Sequence, residues 1–277
     1  MTEELSPDRL AAFEQAAIDL AQAAGAAILP LFRGRLEVAD KAGEGRGYDP
    51  VTAADKGAEE AMRRVIAQRF PDHGCIGEEH GEDRPDDEFV WVLDPVDGTR
   101  AFVAGLPLWV TLIALRWRGR PVVGAIGQSY LDELYVGTAA GSRLLQGGTG
   151  LTLQCRPCPR LTDAVIATTD PFLFTGAETG AWNQVRQAAR LARYGCDGYA
   201  FARLAAGTLD LVAEAGLRSW DIEAAIPLIE GAGGVVTDWA GGAVGPDIHV
   251  HGGRVVAAGD RACLDDALVS LRRAATA

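Results

Sequence analysis

Two carboxylates, Asp94 and Asp97, lie at the end of the apolar run FVWVL and are separated by only two residues. Pro95 fixes its own φ and biases Asp94 toward an extended conformation, while Gly98 permits the backbone to approach a ligand closely. Both acids are therefore expected to leave the end of a strand side by side. Because like charges at that distance repel each other, a cation is their natural partner, and oxygen donors favour magnesium over zinc.

The residues that follow these acids, Gly98 and Thr99, stand where a helix could begin. Unpaired N–H groups in the first turn of a helix favour an anion such as phosphate. A metal ion and a phosphate group could therefore meet at this strand end.

Three other segments carry acids in distinctive settings: YDPVTAAD with Asp55, GEEHGED with Glu78 and Glu79, and SWDIEAA with Asp221. Each setting also has a purely structural explanation. Asp55 could complete a capping box, the two glutamates could belong to a solvated acidic loop, and Asp221 could complement a helix dipole. The DPVDG segment could likewise be an ordinary turn with Asx-type bonds. The occurrence of four such settings in one chain favours a shared site.

The elements that would position these acids can be predicted from hydrophobic spacing. Apolar residues at helical intervals predict a first helix over residues 7–32, capped by Ser6, and a second over about 52–70. The stretch 41–50 between them, rich in glycine and charge, is predicted to be a mobile surface loop. FVWVLD, LWVTLIALRWR, PVVGAIGQSY and ELYVGTA predict the successive strands of an antiparallel meander.

Strands and helices alternate from about Gly150 onward. The predicted strands are AVIATTD, LDLVAEA, GVVTDW and VVAAG, and the predicted helices cover residues 182–193, 201–206, 220–229 and 261–274. Two halves, 1–148 and 149–277, are expected to pack as one catalytic unit.

Composition limits the classes of partner. The chain has 277 residues, 48% of them hydrophobic, and a net charge of -12, which disfavours binding to a phosphate backbone. No apolar run is long enough to span a bilayer, and the acidic start lacks a secretory signal. The five cysteines form an odd set in a chain too large to need disulfides. We therefore expect a cytoplasmic protein with reduced thiols that binds neither nucleic acid nor membranes.

The segments GEEHGE, DPVDGTRAFVAGLP and SWDIEAAIPLIEGAGG, in this order, resemble the motifs of the inositol monophosphatase superfamily. The resemblance implies an α/β fold of layered α+β type, a five-layered αβαβα sandwich, and usually a homodimer. It also implies two or three Mg²⁺ ions. Their ligands would be Glu78, Asp94, the carbonyl of Val96, Asp97 and Asp221, with Glu79 as an alternative to Glu78 or as a supporting partner.

The same resemblance implies a magnesium-dependent hydrolase that acts on a small phosphate monoester. Thr99 and Asp55 would orient and activate the attacking water, and Gly98 and Thr99 would bind the phosphate. Such phosphoryl transfer requires positioning and charge neutralisation more than a protein nucleophile. Asp55 would then act as a base and as a helix cap.

The segment YGCDGYAFARLAAGTLDLVAEAGL and the residues TTDPFLF resemble the histidinol-phosphatase branch of that superfamily. The implied substrate is L-histidinol phosphate, an intermediate of histidine biosynthesis, whose amine and imidazole can both be cationic. Asp197 and Glu214 are the candidate substrate-binding acids. Alternatively, Glu214 is a strand-end acid that faces water and Asp197 is a loop acid bonded to local backbone.

Three alternative functions remain from the sequence. The chain could be an inositol-1-monophosphatase or a phosphatase of a nucleotide-derived 3'-phosphate, both within the same chemistry. It could also be a non-catalytic sensor of metal and phosphate that keeps the fold.

Overall fold

Two β-sheets organise the chain in the computed structural model, which describes residues 5–34, 38–40 and 50–275. A short antiparallel pair, β1 (Val38–Asp40) and β2 (Pro50–Thr52), precedes them. The first sheet contains β3 (Gly74–Gly77), β4 (Gly81–Asp83), β5 (Phe89–Asp97), β6 (Val110–Trp117), β7 (Arg120–Gln128), β8 (Glu133–Thr138), β9 (Gly141–Gln146) and β10 (Thr149–Thr152). The second contains β11 (Val165–Thr168), β12 (Leu191–Tyr194), β13 (Leu211–Glu214), β14 (Val235–Asp238) and β15 (Val255–Ala258).

The strands of the first sheet lie in the order β10-β9-β8-β7-β6-β5-β3-β4. The successive pairs β5–β6, β6–β7 and β7–β8 are antiparallel, which confirms the predicted meander. Only the β3–β5 pairing is parallel among the described strands of this sheet. The second sheet has the order β12-β11-β13-β15-β14 and is mixed, with β11 parallel to both of its neighbours.

Helices lie on both faces of each sheet. Their bounds are α1 (Pro7–Ile28), α2 (Ala53–Arg69), α3 (Thr99–Val103), α4 (Ala177–Ala188), α5 (Tyr199–Ala205), α6 (Ser219–Ile222), α7 (Ala225–Gly231) and α8 (Arg261–Ala275). Helices α1 and α2 cover the outer face of the first sheet, α5 to α7 lie between the sheets, and α4 and α8 cover the outer face of the second. Three clusters of buried apolar side chains fill the spaces between these layers. The predicted αβαβα sandwich is therefore confirmed.

The first two helices begin where their capping residues predict. The Ser6 hydroxyl accepts a hydrogen bond from the Arg9 N–H, and Thr52 caps α2. Helix α1 ends at Ile28, earlier than the predicted Phe32, because Pro30 has no N–H to continue the helical bonding.

Two helices of the second half differ from the prediction. The predicted helix 182–193 is displaced to Ala177–Ala188, and Leu191–Tyr194 forms the edge strand β12, which pairs with β11. The predicted helix 220–229 is divided into α6 and α7, because Pro227 has no N–H to donate to the carbonyl of Glu223.

Several short strands lack a clear sequence pattern and were not predicted: β3, β4, β9, β10 and β12. The boundary at residue 148 stays a prediction; β10, which follows it, is still part of the first sheet. Most of the predicted mobile loop, residues 41–49, lies outside the described residues. Among the helices that the structure describes, none has the length and apolar character required to cross a membrane.

Candidate metal and phosphate site

Three carboxylates from two distant segments converge at the end of β5. Asp94, Asp97 and Asp221 each place one oxygen within 4.8 Å of the others'. A bulge between Asp94 and Asp97 interrupts the pairing with β6, and bulges of this kind redirect side chains. The Thr111 hydroxyl donates to the carbonyl of Pro95 at 2.8 Å and holds the bulged backbone. The local sequence thus places two acids, and helix α6 brings the third.

Glu78 joins this cluster from the turn that follows β3. Its side chain forms a hydrogen bond with that of Asp94, and its N–H donates to the carbonyl of Leu93 at 3.2 Å. At this turn it is the charge of Glu78 that raises the pKa of Asp94 and of Asp221, and the role of Glu78 or Glu79 as a metal ligand stays a prediction.

A buried acid that the sequence reasoning missed, Glu59, supports this turn. Its carboxylate accepts the N–H of Glu79 at 2.8 Å and that of His80 at 3.2 Å, and its own charge is paired with Arg63 at 2.7 Å. The side chain of Glu59 is fully buried against Gly77, where a β-carbon would collide with the carboxylate. The spacing Asp55–Glu59–Arg63, one helical turn at each step, is the signal that could have identified it.

The electrostatics of the cluster are those of a cation site. Burial raises the pKa of Asp94 well above its usual range, and the charges of Glu78, Asp97 and Asp221 raise it further. Burial also raises the pKa of Asp97 well above its usual range, with contributions from Asp197 and Asp221. Carboxylates held this close require protons or a cation between them. An all-oxygen donor set of this kind fits magnesium, so the residues present suit the metal that the sequence resemblance implies.

The same shifts predict how the stability of the metal-free protein depends on pH. Burial raises the pKa of Asp221 from 3.8 to about 7. Between these two values the folded state keeps a proton that the unfolded chain releases, so stability falls as pH rises through this window. We expect the melting temperature in EDTA to be lower at pH 7.5 than at pH 5.5, and magnesium to remove most of the difference. Differential scanning fluorimetry measures both effects.

The control for this prediction is the Asp221→Asn variant. It should flatten the pH profile in EDTA, because the variant lacks one of the titrating groups. A parent protein whose melting temperature rises between pH 5.5 and pH 7.5 in EDTA would contradict the prediction.

Asp55 and Thr99 lie together, as the sequence resemblance implied. The carboxylate of Asp55 accepts the N–H of Thr52 at 2.8 Å and its hydroxyl at 2.6 Å through Oδ2, which completes the predicted capping box. The Thr99 hydroxyl lies 3.3 Å from Oδ1 of Asp55 and 3.0 Å from the carbonyl of Val96. One oxygen of the buried Asp55 carboxylate thus caps helix α2, and the other is the candidate base.

Gly98 provides the tight turn between the acids and helix α3. Its φ is +85°, a conformation that glycine adopts without strain. A β-carbon at this position would also lie 3.2 Å from the Trp109 Cα and 3.3 Å from the Asp197 Cβ. Phosphate binding by Gly98 and Thr99 stays a prediction.

Of the two candidate substrate-binding acids, Asp197 lies next to the carboxylate cluster and Glu214 lies near Asp197. Burial raises the pKa of Asp197 to about 6, with Arg100 opposing the shift and Asp170 adding to it. The charge of Asp197 in turn raises the pKa of Asp97, Asp221 and Glu214. Asp197 therefore interacts electrostatically both with the cluster and with two further acids, Asp170 and Glu214. The main-chain carbonyl of Asp197 accepts the Ala200 N–H at 3.0 Å, and the alternative that its carboxylate bonds local backbone stays a prediction.

Glu214 is buried at the end of β13 and does not face water, which excludes one alternative reading of this residue. Its carboxylate accepts three hydrogen bonds, from the Thr168 hydroxyl at 3.0 Å and from the N–H and hydroxyl of Thr169 at 2.7 and 3.1 Å. Burial nonetheless raises its pKa to about 8. The sequence could not indicate this environment, because the threonines are some 46 residues away along the chain.

Comparison with known proteins assigns the family. The chain is 43% identical over 242 residues to the bifunctional phosphatase IMPL2 of Arabidopsis thaliana, covering 86% of this chain and 67% of that protein. It is 34% identical over 228 residues to a histidinol-phosphatase of Chlorobaculum parvum, covering 82% and 86%. Its fold matches an inositol monophosphatase from Zymomonas mobilis with a TM-score of 0.84 and 38% identity, covering 96% and 99% of the two chains.

The family model of the inositol monophosphatases matches residues 9–276. This match includes every acid of the cluster as well as Asp55 and Thr99. The carboxylates gathered at the end of β5 thus stand in a chain that belongs, over nearly its whole length, to the inositol monophosphatase family of phosphatases.

Proposed function

We propose that this protein is a magnesium-dependent phosphatase that hydrolyses L-histidinol phosphate to L-histidinol and phosphate, a step of histidine biosynthesis. The observation that carries the proposal is the convergence of four carboxylates from three segments beside the contact between Thr99 and Asp55. This arrangement provides charge neutralisation and a proton acceptor in one place, which is what hydrolysis of a phosphate monoester requires.

Glu78, Asp94, Asp97, Asp221 and the carbonyl of Val96 are the proposed ligands of the metal. When bound, magnesium supplies positive charge for the phosphoryl oxygens and makes water a stronger nucleophile. The ligands come from a strand end, a supported turn and a helix, so their positions are set by the fold. The protein supplies the geometry in which attack on phosphorus takes place.

Thr99 and Asp55 are the proposed path for the proton of the attacking water. Oδ2 of Asp55 accepts two bonds from Thr52, and Oδ1 lies 3.3 Å from the Thr99 hydroxyl. When the hydroxyl donates to Oδ1, its oxygen lone pairs can accept a hydrogen bond from water. The proton then moves from water to Thr99 Oγ1 and from Thr99 to Oδ1 of Asp55.

The acids beyond Asp97 support a cationic alcohol as the leaving group. Asp197 interacts electrostatically with both Asp170 and Glu214, and the exposed Arg100 opposes the rise in the pKa of Asp197. An amine and an imidazole would be stabilised there, whereas the neutral ring of inositol would gain nothing from the charge. The similarity to a protein named histidinol-phosphatase supports the same substrate.

A panel of phosphate monoesters tests the proposal. With magnesium present, kcat/KM should be highest for L-histidinol phosphate and lower for inositol 1-phosphate and for adenosine 3',5'-bisphosphate. Asp197→Asn should reduce kcat/KM for histidinol phosphate more than for inositol 1-phosphate, because only the first substrate is cationic. A preference of about tenfold or more for inositol 1-phosphate would reject histidinol phosphate as the substrate.

Inositol 1-phosphate is the second candidate substrate, favoured by the 38% identity to the inositol monophosphatase of known structure. We propose a cytoplasmic homodimer that takes a small-molecule phosphate ester, since a net charge of -12 opposes binding to nucleic acid or to an anionic membrane surface.

A further inference from the structure

A buried ion pair joins the first sheet to the segment that carries Asp221. Arg116, in β6, donates from Nε to Oε2 of Glu223 at 3.1 Å, and a second bond joins Nη2 to Oε1. The side chains are only 8% and 2% exposed. The pair is therefore bidentate and largely removed from water, the arrangement that fixes geometry most tightly.

The position of this pair links the two sources of the carboxylate cluster. Glu223 lies two residues after Asp221, directly beyond α6. Arg116 is paired in the sheet with Val90 of β5, the strand that ends in Asp94 and Asp97. One ion pair thus connects the sheet that carries Asp94 and Asp97 to the segment that carries Asp221. Its two residues are 107 positions apart in the sequence.

Glycines in the first sheet provide a second contact for the same segment. Gly124, in β7, lies against the carbonyl of Ala224 and the ring of Pro227, and a β-carbon there would collide with both. Gly137, in β8, lies against the backbone of Leu228 in the same way. The segment after Asp221 therefore rests directly on the backbone of the sheet, at a separation that the glycines permit.

Stability alone does not explain a buried ion pair at this place. Such pairs are often no more stabilising than apolar side chains of similar volume, whereas they restrict a segment to one arrangement. Asp221 needs such a restriction, because the charge of Glu78 repels it and the hydrogen bond that its carboxylate accepts comes from the nearby N–H of Arg218, at 2.7 Å.

We propose that Arg116 and Glu223 are positioning residues that hold Asp221 in register with Asp94 and Asp97, so that the metal site is complete. This inference rests on the proposed function, in which Asp221 is a metal ligand. Neither residue touches the substrate in this proposal. Their effect is on the affinity for the metal, and the overall stability of the fold depends on them much less.

Calorimetric titration of the full chain with magnesium chloride alone tests the proposal. The double variant Arg116→Met with Glu223→Met removes the pair without leaving an unpaired buried charge. It should keep a melting temperature in EDTA close to that of the parent and lose about 10- to 100-fold in magnesium affinity, the range found when supporting partners of metal ligands are removed. Unchanged magnesium affinity would overturn the proposal.

A matched control uses another ion pair of the same chain. Arg254, directly before β15, and Glu178, in helix α4 of the outermost layer, form a partly buried pair. Arg254→Met with Glu178→Gln should alter the melting temperature without altering magnesium affinity. If the Arg116–Glu223 double variant does not fold, Glu223→Gln decides instead: it keeps the shape, and the proposal requires weaker magnesium binding from it.

The Asp221→Asn variant separates this inference from the proposed function. If Asp221→Asn binds magnesium as the parent does, Asp221 is not a ligand and the proposed metal site fails. If Asp221→Asn loses affinity while the double variant keeps it, the metal site stands and the positioning role of Arg116 and Glu223 is wrong.

Discussion

The Asp97→Asn variant should release phosphate from its best substrate with a kcat/KM lower than that of the parent by more than about 100-fold. Loss of a group that merely supports a metal ligand costs about 10- to 100-fold, and Asp97 is a proposed ligand itself. The variant removes one of the like charges of the cluster, so its melting temperature in EDTA should rise at pH 7.5. Steady-state kinetics and scanning fluorimetry measure the two effects.

Asp86→Asn is the control for this experiment, because Asp86 is an exposed acid of the loop before β5. Asp86→Asn should change neither kcat/KM nor the melting temperature in EDTA. Activity of Asp97→Asn within about threefold of the parent would contradict the assignment of Asp97 as a ligand, since that is well short of the expected loss. A parent protein that binds magnesium but releases phosphate from no ester would instead favour the non-catalytic sensor.

The Asp55→Asn variant should keep its affinity for magnesium and lose about 10²- to 10⁴-fold in kcat, the usual contribution of a general base. The amide oxygen of asparagine can still accept the N–H of Thr52, so the helix cap is retained. The NH₂ group then faces Thr99, and it cannot accept a proton. Calorimetry and kinetics on the same preparation separate binding from rate.

Thr52→Ala is the matched variant, because it removes the capping hydroxyl and leaves the carboxylate of Asp55 in place. It should destabilise the fold by about 1 kcal/mol and reduce kcat less than Asp55→Asn does. If Asp55→Asn instead loses magnesium affinity and rate in equal measure, Asp55 acts on the metal and the proton path through Thr99 is wrong.

Features of the site that depend on neighbouring residues could be predicted from the sequence. Asp94 and Asp97 lie together because a rigid strand end and a bulge hold them, and Thr52 and Asp55 form a capping box because their spacing places them on one helical turn. The strands of the meander were predictable for the same reason, since alternation and turn residues are local signals. The family motifs added the order of the acids along the chain.

Local patterns were insufficient where a short segment takes its structure from distant partners. Leu191–Tyr194 continues the helical pattern of α4, yet it pairs with β11 as an edge strand. The turn after β3 could equally have presented Glu78 or Glu79, and the buried carboxylate of Glu59, across some 20 residues, orients it. Glu214 turns inward because Thr168 and Thr169 approach it from another strand.

The convergence of Asp221 with Asp94 and Asp97 is the clearest tertiary feature. No spacing predicts it, because more than 100 residues, including three strands of the second sheet, lie between these acids along the chain. It depends on the way the α6–α7 segment rests on the glycines of β7 and β8 and on the Arg116–Glu223 pair. Bonds between near neighbours follow from residue order, whereas contacts between distant segments exist only once the layers have packed.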